Sequence, residues 1–282
     1  MNIATLRDKG SATHQEDMLF VKLIEGSSDT IIVGVVDGVS GLHLPEHGPT
    51  LFSGKTGGYV AAKTLIQALD GPFTETLETL VLTANDLLRK LCRQYKIHPS
   101  NTEFMPGAAF AVAKIDRARI TVIQAADCLA VWETADGRTH ATPRQNYSIE
   151  RMLSEKIAEL MEKHGGNRNE MWRELAPIVA QVRRQYVNAP DGYALLNGQK
   201  ELLLRWQRII LPRDDVRKLV LCSDGILPLE KTSSEQEIAD AFFANPALRL
   251  SDVLRKTRMT EEKRKAISHV NRAEATAIYI EL

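Results

Sequence analysis

Three apolar runs, Ala108–Ile115, Ile120–Ala125 and Leu129–Glu133, follow one another with only tight connections between them. A parallel crossover needs about a dozen residues, so these three strands are antiparallel. Asp17–Leu23 and Thr30–Val36 form another strand pair around the turn-like EGSSD. Leu202–Leu211, Lys218–Cys222 and Thr276–Leu282 read as further strands. Helical periodicity comes in blocks rather than alternating with strands. Gly57–Leu69 and Phe73–Arg93 make one block, with Leu77, Leu80, Val81, Ala84, Leu87, Leu88 and Leu91 on one face of the second helix. In a later block Trp172, Leu175, Val179, Val182 and Tyr186 share a face, and Pro177 marks a kink. Ser234–Phe243 and Ser251–His269 make the last. Paired strands with segregated helices predict an α+β layer fold rather than βαβ repeats.

Several of these strands end in acid. Ile31–Val36 delivers Asp37, followed by Gly38 and then Gly41, which let the chain turn sharply. Val220–Cys222 leads to Ser223, Asp224 and Gly225 in the same way. Ile123–Ala126 leads to Asp127, and Glu16 and Asp17 precede a fourth strand. A single acid at a strand end is equally a cap or turn residue. Four such sites in one chain suggest carboxylates converging on hard cations such as Mg²⁺ or Mn²⁺.

Two other motifs compete in the stretch 33–58. HLPEH, at His43–His47, has the spacing of a zinc protease, which needs both histidines on one face of a continuous helix. Pro45 lies between them and Gly41 and Gly48 flank them, which favours a loop with solvated histidines. GPTLFSGKT approximates a phosphate-binding loop, but Gly48 is one position early and Pro49 lacks the N–H that would cradle phosphate. Gly54, Lys55 and Thr56 then mark the start of a helix, with Thr56 as N-cap.

The 36 basic and 36 acidic residues cancel, so no global field recruits nucleic acid or an anionic membrane. Cys92, Cys128 and Cys222 lack metal-site spacing and suit small buried residues in a reducing compartment. The start MNIATLRDKG has no apolar signal core, and no stretch is long enough to span a bilayer. The expectation is one domain over 1–282, cytoplasmic, with neither a nucleic-acid nor a membrane partner.

The order of motifs resembles the metal-dependent Ser/Thr protein phosphatases of the PP2C (PPM) type. HQED at 14–17, VVDGVSG at 35–41, AADCLAVW at 125–132, LCSDGI at 221–226 and RAEATAIYI at 272–280 are similar to five successive family elements. GYALLNG at 192–198 resembles a segment of divergent bacterial members. The resemblance implies a four-layer α-β-β-α sandwich of two antiparallel sheets with a binuclear centre of Mg²⁺ or Mn²⁺ at one end. Asp37 would bridge two ions and the Gly38 carbonyl would bind one. Asp224 would be a ligand, Glu16 and Asp17 would hold metal-bound waters, and Asp127 with Asp224 matches a third-metal position. The activity implied is hydrolysis of phosphoserine or phosphothreonine in a protein substrate by a metal-activated water. Helices over 147–198 would stand where the family has its variable flap, either selecting substrate or only covering a sheet face.

The chain departs from the pattern at two places. The family's phosphate-binding Arg falls on Ala12, with Arg7, Lys9 and His14 as nearby substitutes, although only a guanidinium grips phosphate in a bidentate way. The metal-binding Asp of the last element falls on Ala273, followed by Glu274. Either Glu274 reaches the metal through its extra methylene, or one metal is weakly held, or Ala273 is an engineered change. These losses motivate a second reading, a pseudophosphatase acting as a phosphoprotein-binding or regulatory module. A P-loop nucleotide-binding protein is the third.

Overall fold

The computed structural model describes residues 1–24, 30–44, 48, 50–71, 75–98, 100–227, 234–244, 249–268 and 273–282. The EGSSD connection, Phe73, His269 and Arg272 lie outside the described residues. Among the described residues ten strands are present: β1 (Asn2–Asp8), β2 (Met18–Leu23), β3 (Ile31–Val39), β4 (Gly107–Ile115), β5 (Arg119–Ala125), β6 (Leu129–Thr134), β7 (Thr139–Ala141), β8 (Gln207–Pro212), β9 (Val216–Cys222) and β10 (Ala275–Glu281). They form two antiparallel five-stranded sheets, ordered β1-β10-β9-β6-β7 and β2-β3-β4-β5-β8. Six α-helices accompany them among the described residues: α1 (Gly57–Leu69), α2 (Leu77–Gln94), α3 (Tyr147–Lys163), α4 (Arg168–Tyr186), α5 (Glu235–Phe243) and α6 (Leu250–Ser268).

Three apolar clusters define four layers. Ile31, Val33, Val35, Ala109 and Ala111 of one sheet meet Ala130, Trp132, Leu219, Leu221 and Ile278 of the other. Ile32, Val36 and Val112, on the opposite face of the first sheet, pack under Leu65 and Leu69 of α1 and Leu80 and Leu88 of α2. Val131, Val220 and Ala277 of the second sheet pack under Phe242 of α5 and Val253 of α6. Both faces of each central strand are therefore covered, which is why β3, β4 and β5 read as nearly unbroken apolar runs although their partners are antiparallel. The order is α-β-β-α, as the resemblance implies.

Several boundaries differ from expectation. β3 runs on to Val39, because Asp37 and Gly38 still pair with Ala109 and Ala108 of β4. Asp37 thus lies inside a strand. β1 escapes the sequence reading because it is an edge strand paired only with β10, and its own side chains are half-buried at best. β7, three residues at the other edge, escapes it too. The expected strand Leu202–Leu211 is a 3₁₀ turn over Lys200–Leu204 followed by β8, and Leu203 and Leu204 are exposed, so no sheet face is there to bury them. α2 begins at Leu77 with Thr76 as its N-cap, and Thr56 caps α1 as expected. α4 is continuous through Pro177, which is exposed, while Leu175 and Val182 on its expected inner face are buried. All three cysteines are free and buried.

Candidate metal centre

Side chains alternate along a strand. Ile31, Val33 and Val35 face the space between the sheets, so Asp37 projects to that same side, where the inter-sheet core ends. Asp224 arrives from the facing sheet, two residues after β9, and opens a single 3₁₀ turn over Asp224–Ile226. The chain passes very close here. A Cβ on Gly225 would lie 1.6 Å from the Glu274 carbonyl oxygen, so only glycine lets the segment before β10 lie against the Asp224 turn.

Asp17, just ahead of β2, is buried. Its Oδ2 accepts from Ser223 Oγ at 2.8 Å, and that hydroxyl also accepts from Thr276 N at 3.0 Å. Its Oδ1 is buried with no hydrogen-bond partner, and the Thr276 hydroxyl lies near it without bonding geometry. Glu16 accepts at Oε1 from Ser40 Oγ at 2.8 Å, and Ser40 Oγ accepts from Gly58 N at 3.1 Å. α1 has no acid in its own first turn, so the Glu16 carboxylate supplies negative charge at that helix N-terminus. A Cβ on Gly58 would meet Glu16 Oε2 at 2.5 Å, and one on Gly38 would meet the Gly58 carbonyl at 2.4 Å.

Asp127 stands on the turn between β5 and β6, held by Ala126 in the left-handed region at φ 58°. That conformation costs roughly 1–2 kcal/mol for a non-glycine residue. It is held by the bonds Ala126 makes, its N–H donating to Gln145 Oε1 at 3.0 Å and its carbonyl accepting from Gln124 Nε2 at 2.7 Å.

The electrostatics point to one cluster. Burial pushes the Asp37 carboxyl well above the ordinary carboxylate range, and the charges of Asp17, Asp224, Asp127 and Glu274 push it further. Asp17 is pushed up to about 7, first by burial and then by the Glu274 charge, against the lowering effect of the Ser223 hydrogen bond. So many carboxylates at one end of the sandwich repel one another unless protons or cations intervene. An all-oxygen donor set with a buried, unpartnered carboxylate oxygen fits a hard divalent cation.

The structure adds a residue that the sequence reading missed. Asp127, Glu150 and Asp224 each place a carboxylate oxygen within 4.8 Å of the others. Glu150 is in the first turn of α3, and Asn146, the residue before that helix, donates from Nδ2 to Asp127 Oδ2 at 2.9 Å and to Glu150 Oε1 at 3.2 Å. Asn146 Oδ1 is buried and unpartnered. An acid in the first turn of a helix is so common that Glu150 carried no distinguishing signal.

The remaining candidates are placed as follows. Glu274 accepts at its carboxylate from the backbone N–H groups of Glu16 (3.1 and 2.9 Å) and Asp17 (2.9 Å), so it clamps the segment ahead of β2. Ala273 is exposed; its N–H donates to Glu261 Oε1 at 3.3 Å and its carbonyl accepts from Arg258 Nη2 at 2.7 Å. Arg7 Nη2 donates to the Asp17 carbonyl at 2.6 Å, and His14 and Lys9 are exposed. No helix runs over 41–44; His43 offers its carbonyl to Trp172 Nε1 at 2.8 Å, and His47 lies outside the described residues, as do Pro45 and Pro49. Lys55 Nζ stacks on the Tyr59 ring 5.3 Å away, and β3 ends at Val39, far ahead of α1, unlike a strand–loop–helix phosphate cradle.

No protein-family model matches the sequence, and no curated protein matches it either. Solved structures do. The serine/threonine phosphatase Stp1 from Staphylococcus aureus is 12% identical with a TM-score of 0.59, over 100% of this chain and 94% of that one. The serine-threonine phosphatase 2C from Toxoplasma gondii is 17% identical with a TM-score of 0.54, over 99% and 94%. The catalytic domain of the phosphatase PstP, solved in complex with two manganese ions, is 14% identical with a TM-score of 0.56, over 99% and 97%. Across its whole length, this chain has the fold of the PP2C-type serine/threonine phosphatases.

Proposed function

We propose that this chain is a divalent-cation-dependent phosphatase that hydrolyses phosphoserine or phosphothreonine in proteins. The observation that carries the reading is the convergence of Asp17, Asp37, Asp127 and Asp224 from both sheets, with Asp37 driven up by burial and by the charges of the other three and of Glu274. Asp37, the Gly38 carbonyl and Asp224 would hold two ions of Mg²⁺ or Mn²⁺, and Asp127, Asp224 and Glu150 a third. Bound there, such ions supply a water nucleophile at neutral pH and neutralise charge on the phosphoryl oxygens. The chain's own groups do the positioning. Ser223 fixes Asp17, Ser40 fixes Glu16, and Glu274 and Arg7 hold the backbone that carries both acids. The helices over 147–198 are tied to the same end. Trp172 bonds the His43 carbonyl, and the half-buried Arg183 bonds the carbonyls of Ser40 and Glu103 at 3.0 and 3.1 Å. They therefore brace the loop after β3.

Phosphate release from a phosphothreonine peptide, with Mn²⁺ and then with chelator, tests this reading. Turnover is expected only with the metal, and Asp224→Asn is expected to lower it by about a hundredfold or more, as loss of a charged ligand should. Turnover that survives chelation, or an unaffected Asp224→Asn enzyme, sinks it. Glu150→Ala should weaken the loosest-bound Mn²⁺ by roughly tenfold in calorimetry while leaving the tighter sites intact, since water replaces a carboxylate there. An unchanged isotherm removes Glu150 from the centre.

A further inference from the structure

A groove of about 510 Å³ lies away from the metal centre, between α2 and the 3₁₀ turn at Lys200–Leu204. On the α2 side Leu82, Arg89, Lys90 and Arg93 follow one another at helical spacing on a single stripe. Lys200 and Leu203 form the opposite wall. Asp86 pairs with Arg89, which leaves Lys90, Arg93 and Lys200 without an ion-pair partner among the described residues. Cations late in a helix complement its dipole, and that accounts for Arg93. It does not account for Lys200, which reaches the groove from another element.

The groove is preformed. Asn85, buried in α2, donates to the Gln199 carbonyl at 2.7 Å and accepts from Gly198 N at 2.8 Å. Gly198, at φ +90°, sits so close to Arg89 that an added Cβ would lie 2.9 Å from its Cα. Asn188 Nδ2 joins Leu195, Asn197 and Gln199 at 2.9–3.1 Å. This rigid wall is the GYALLNG segment and its continuation. Its other end touches the metal centre, because Gln145 Oε1 accepts from both Ala194 N and Ala126 N, next to Asp127. Ala194 and Lys200 are six residues apart in sequence, which limits their separation to about 20 Å.

We infer that this groove docks an acidic segment of the phosphoprotein substrate, with an apolar side chain of that segment lying on Leu82 and Leu203. The inference rests on the phosphatase reading for what is docked, but not for whether docking occurs. Three unpaired cations on two walls complement an acidic strand, and Leu203, 48% exposed, offers apolar surface that no other part of the described chain covers.

The test uses two fluorescein-labelled peptides around one phosphothreonine. One carries a run of Asp, Glu and Leu about six residues away, and the other carries Ser and Gly there. Anisotropy with the full chain should show the acidic peptide bound about tenfold more tightly, and rising salt should shrink the difference to the part the apolar contact contributes. Lys90→Glu, Arg93→Glu and Lys200→Glu together should abolish the preference, and the triple Ala variant should halve it on a logarithmic scale. Turnover of a small aryl phosphate should stay unchanged in both. Equal affinity for the two peptides, or a preference that survives charge reversal in a folded variant, overturns the inference. If the preference behaves as expected but no phosphate is ever released, docking stands and the phosphatase reading falls. If both peptides release phosphate and neither is preferred, the phosphatase reading stands and docking falls.

Discussion

Asp37→Asn is expected to abolish tight Mn²⁺ binding and phosphate release while making the metal-free protein more stable. A unit charge about 4 Å from a cation is worth roughly 4 kcal/mol per unit of cation charge at an effective dielectric constant of 20, so replacing the carboxylate by an amide beside Mn²⁺ costs at least about a thousandfold in affinity. In the metal-free state the same charge is a liability. The folded protein holds Asp37 and Asp17 with pKa values above the unfolded ones, Asp17 at about 7. A carboxyl of this kind contributes stability that is fully present below its unfolded pKa, near 4, and is lost as pH rises through the folded value. The metal-free protein should therefore melt higher at pH 5 than at pH 8, with a difference on the order of a few kcal/mol. The asparagine variant should narrow that gap, because one of the repelling charges is gone. Mn²⁺ should raise the melting temperature of the unaltered protein at pH 8 and leave the variant's unmoved. Equal Mn²⁺ affinity in the two proteins would falsify the binuclear assignment.

Asp37, Asp127 and Asp224 could be picked out from sequence as candidates because each lies at or just past the end of a strand whose apolar residues fix its direction. Val35 faces the inter-sheet core, and alternation then commits Asp37 to the same side. Asp224 and Asp127 follow strands equally well marked. Less legible were features set by contacts distant in sequence. Glu150 looks like any acid at a helix start, and only the folding of α3 onto the β5–β6 turn brings it to Asp127. The use of Glu274 as a clamp on Glu16 and Asp17 joins residues at opposite ends of the chain. No local pattern encodes it. Edge strands show the same limit. β1 and β7 have one neighbour each and little buried area, so their hydrophobic signal is weak. The apolar residues of the 3₁₀ turn misled in the other direction, since exposed leucines at 203 and 204 read as strand.

Ala273→Asp is expected to raise Mn²⁺ affinity and turnover together, by about tenfold if the new carboxylate contributes over about 1.4 kcal/mol. The backbone at this position is already held, by Glu261 on its N–H and by Arg258 on its carbonyl. Arg258 is fixed in turn by Glu261 at 2.7 Å and by Asp8 at 3.3 Å. Residue 274 presses on Gly225, so a carboxylate at 273 starts beside the Asp224 turn on a rigid base. Glu274→Ala separates two roles for the neighbouring acid. As a clamp, Glu274 accepts from two backbone N–H groups, and each donor left unsatisfied costs about 1–3 kcal/mol. Its removal also takes a negative charge away from Asp17 and Asp37, which offsets part of that cost. The alanine variant should therefore melt lower even without metal, by about 2 kcal/mol, and lose turnover because Glu16 and Asp17 are no longer held. If Glu274 is instead a metal ligand, the metal-free melting temperature should hold and only Mn²⁺ affinity should fall. In that case Ala273→Asp adds little. Should Ala273→Asp leave affinity and rate unchanged while Glu274→Ala is silent with and without Mn²⁺, the segment ahead of β10 contributes nothing to the centre. A binding module that keeps the fold without the chemistry then becomes the better account of this chain.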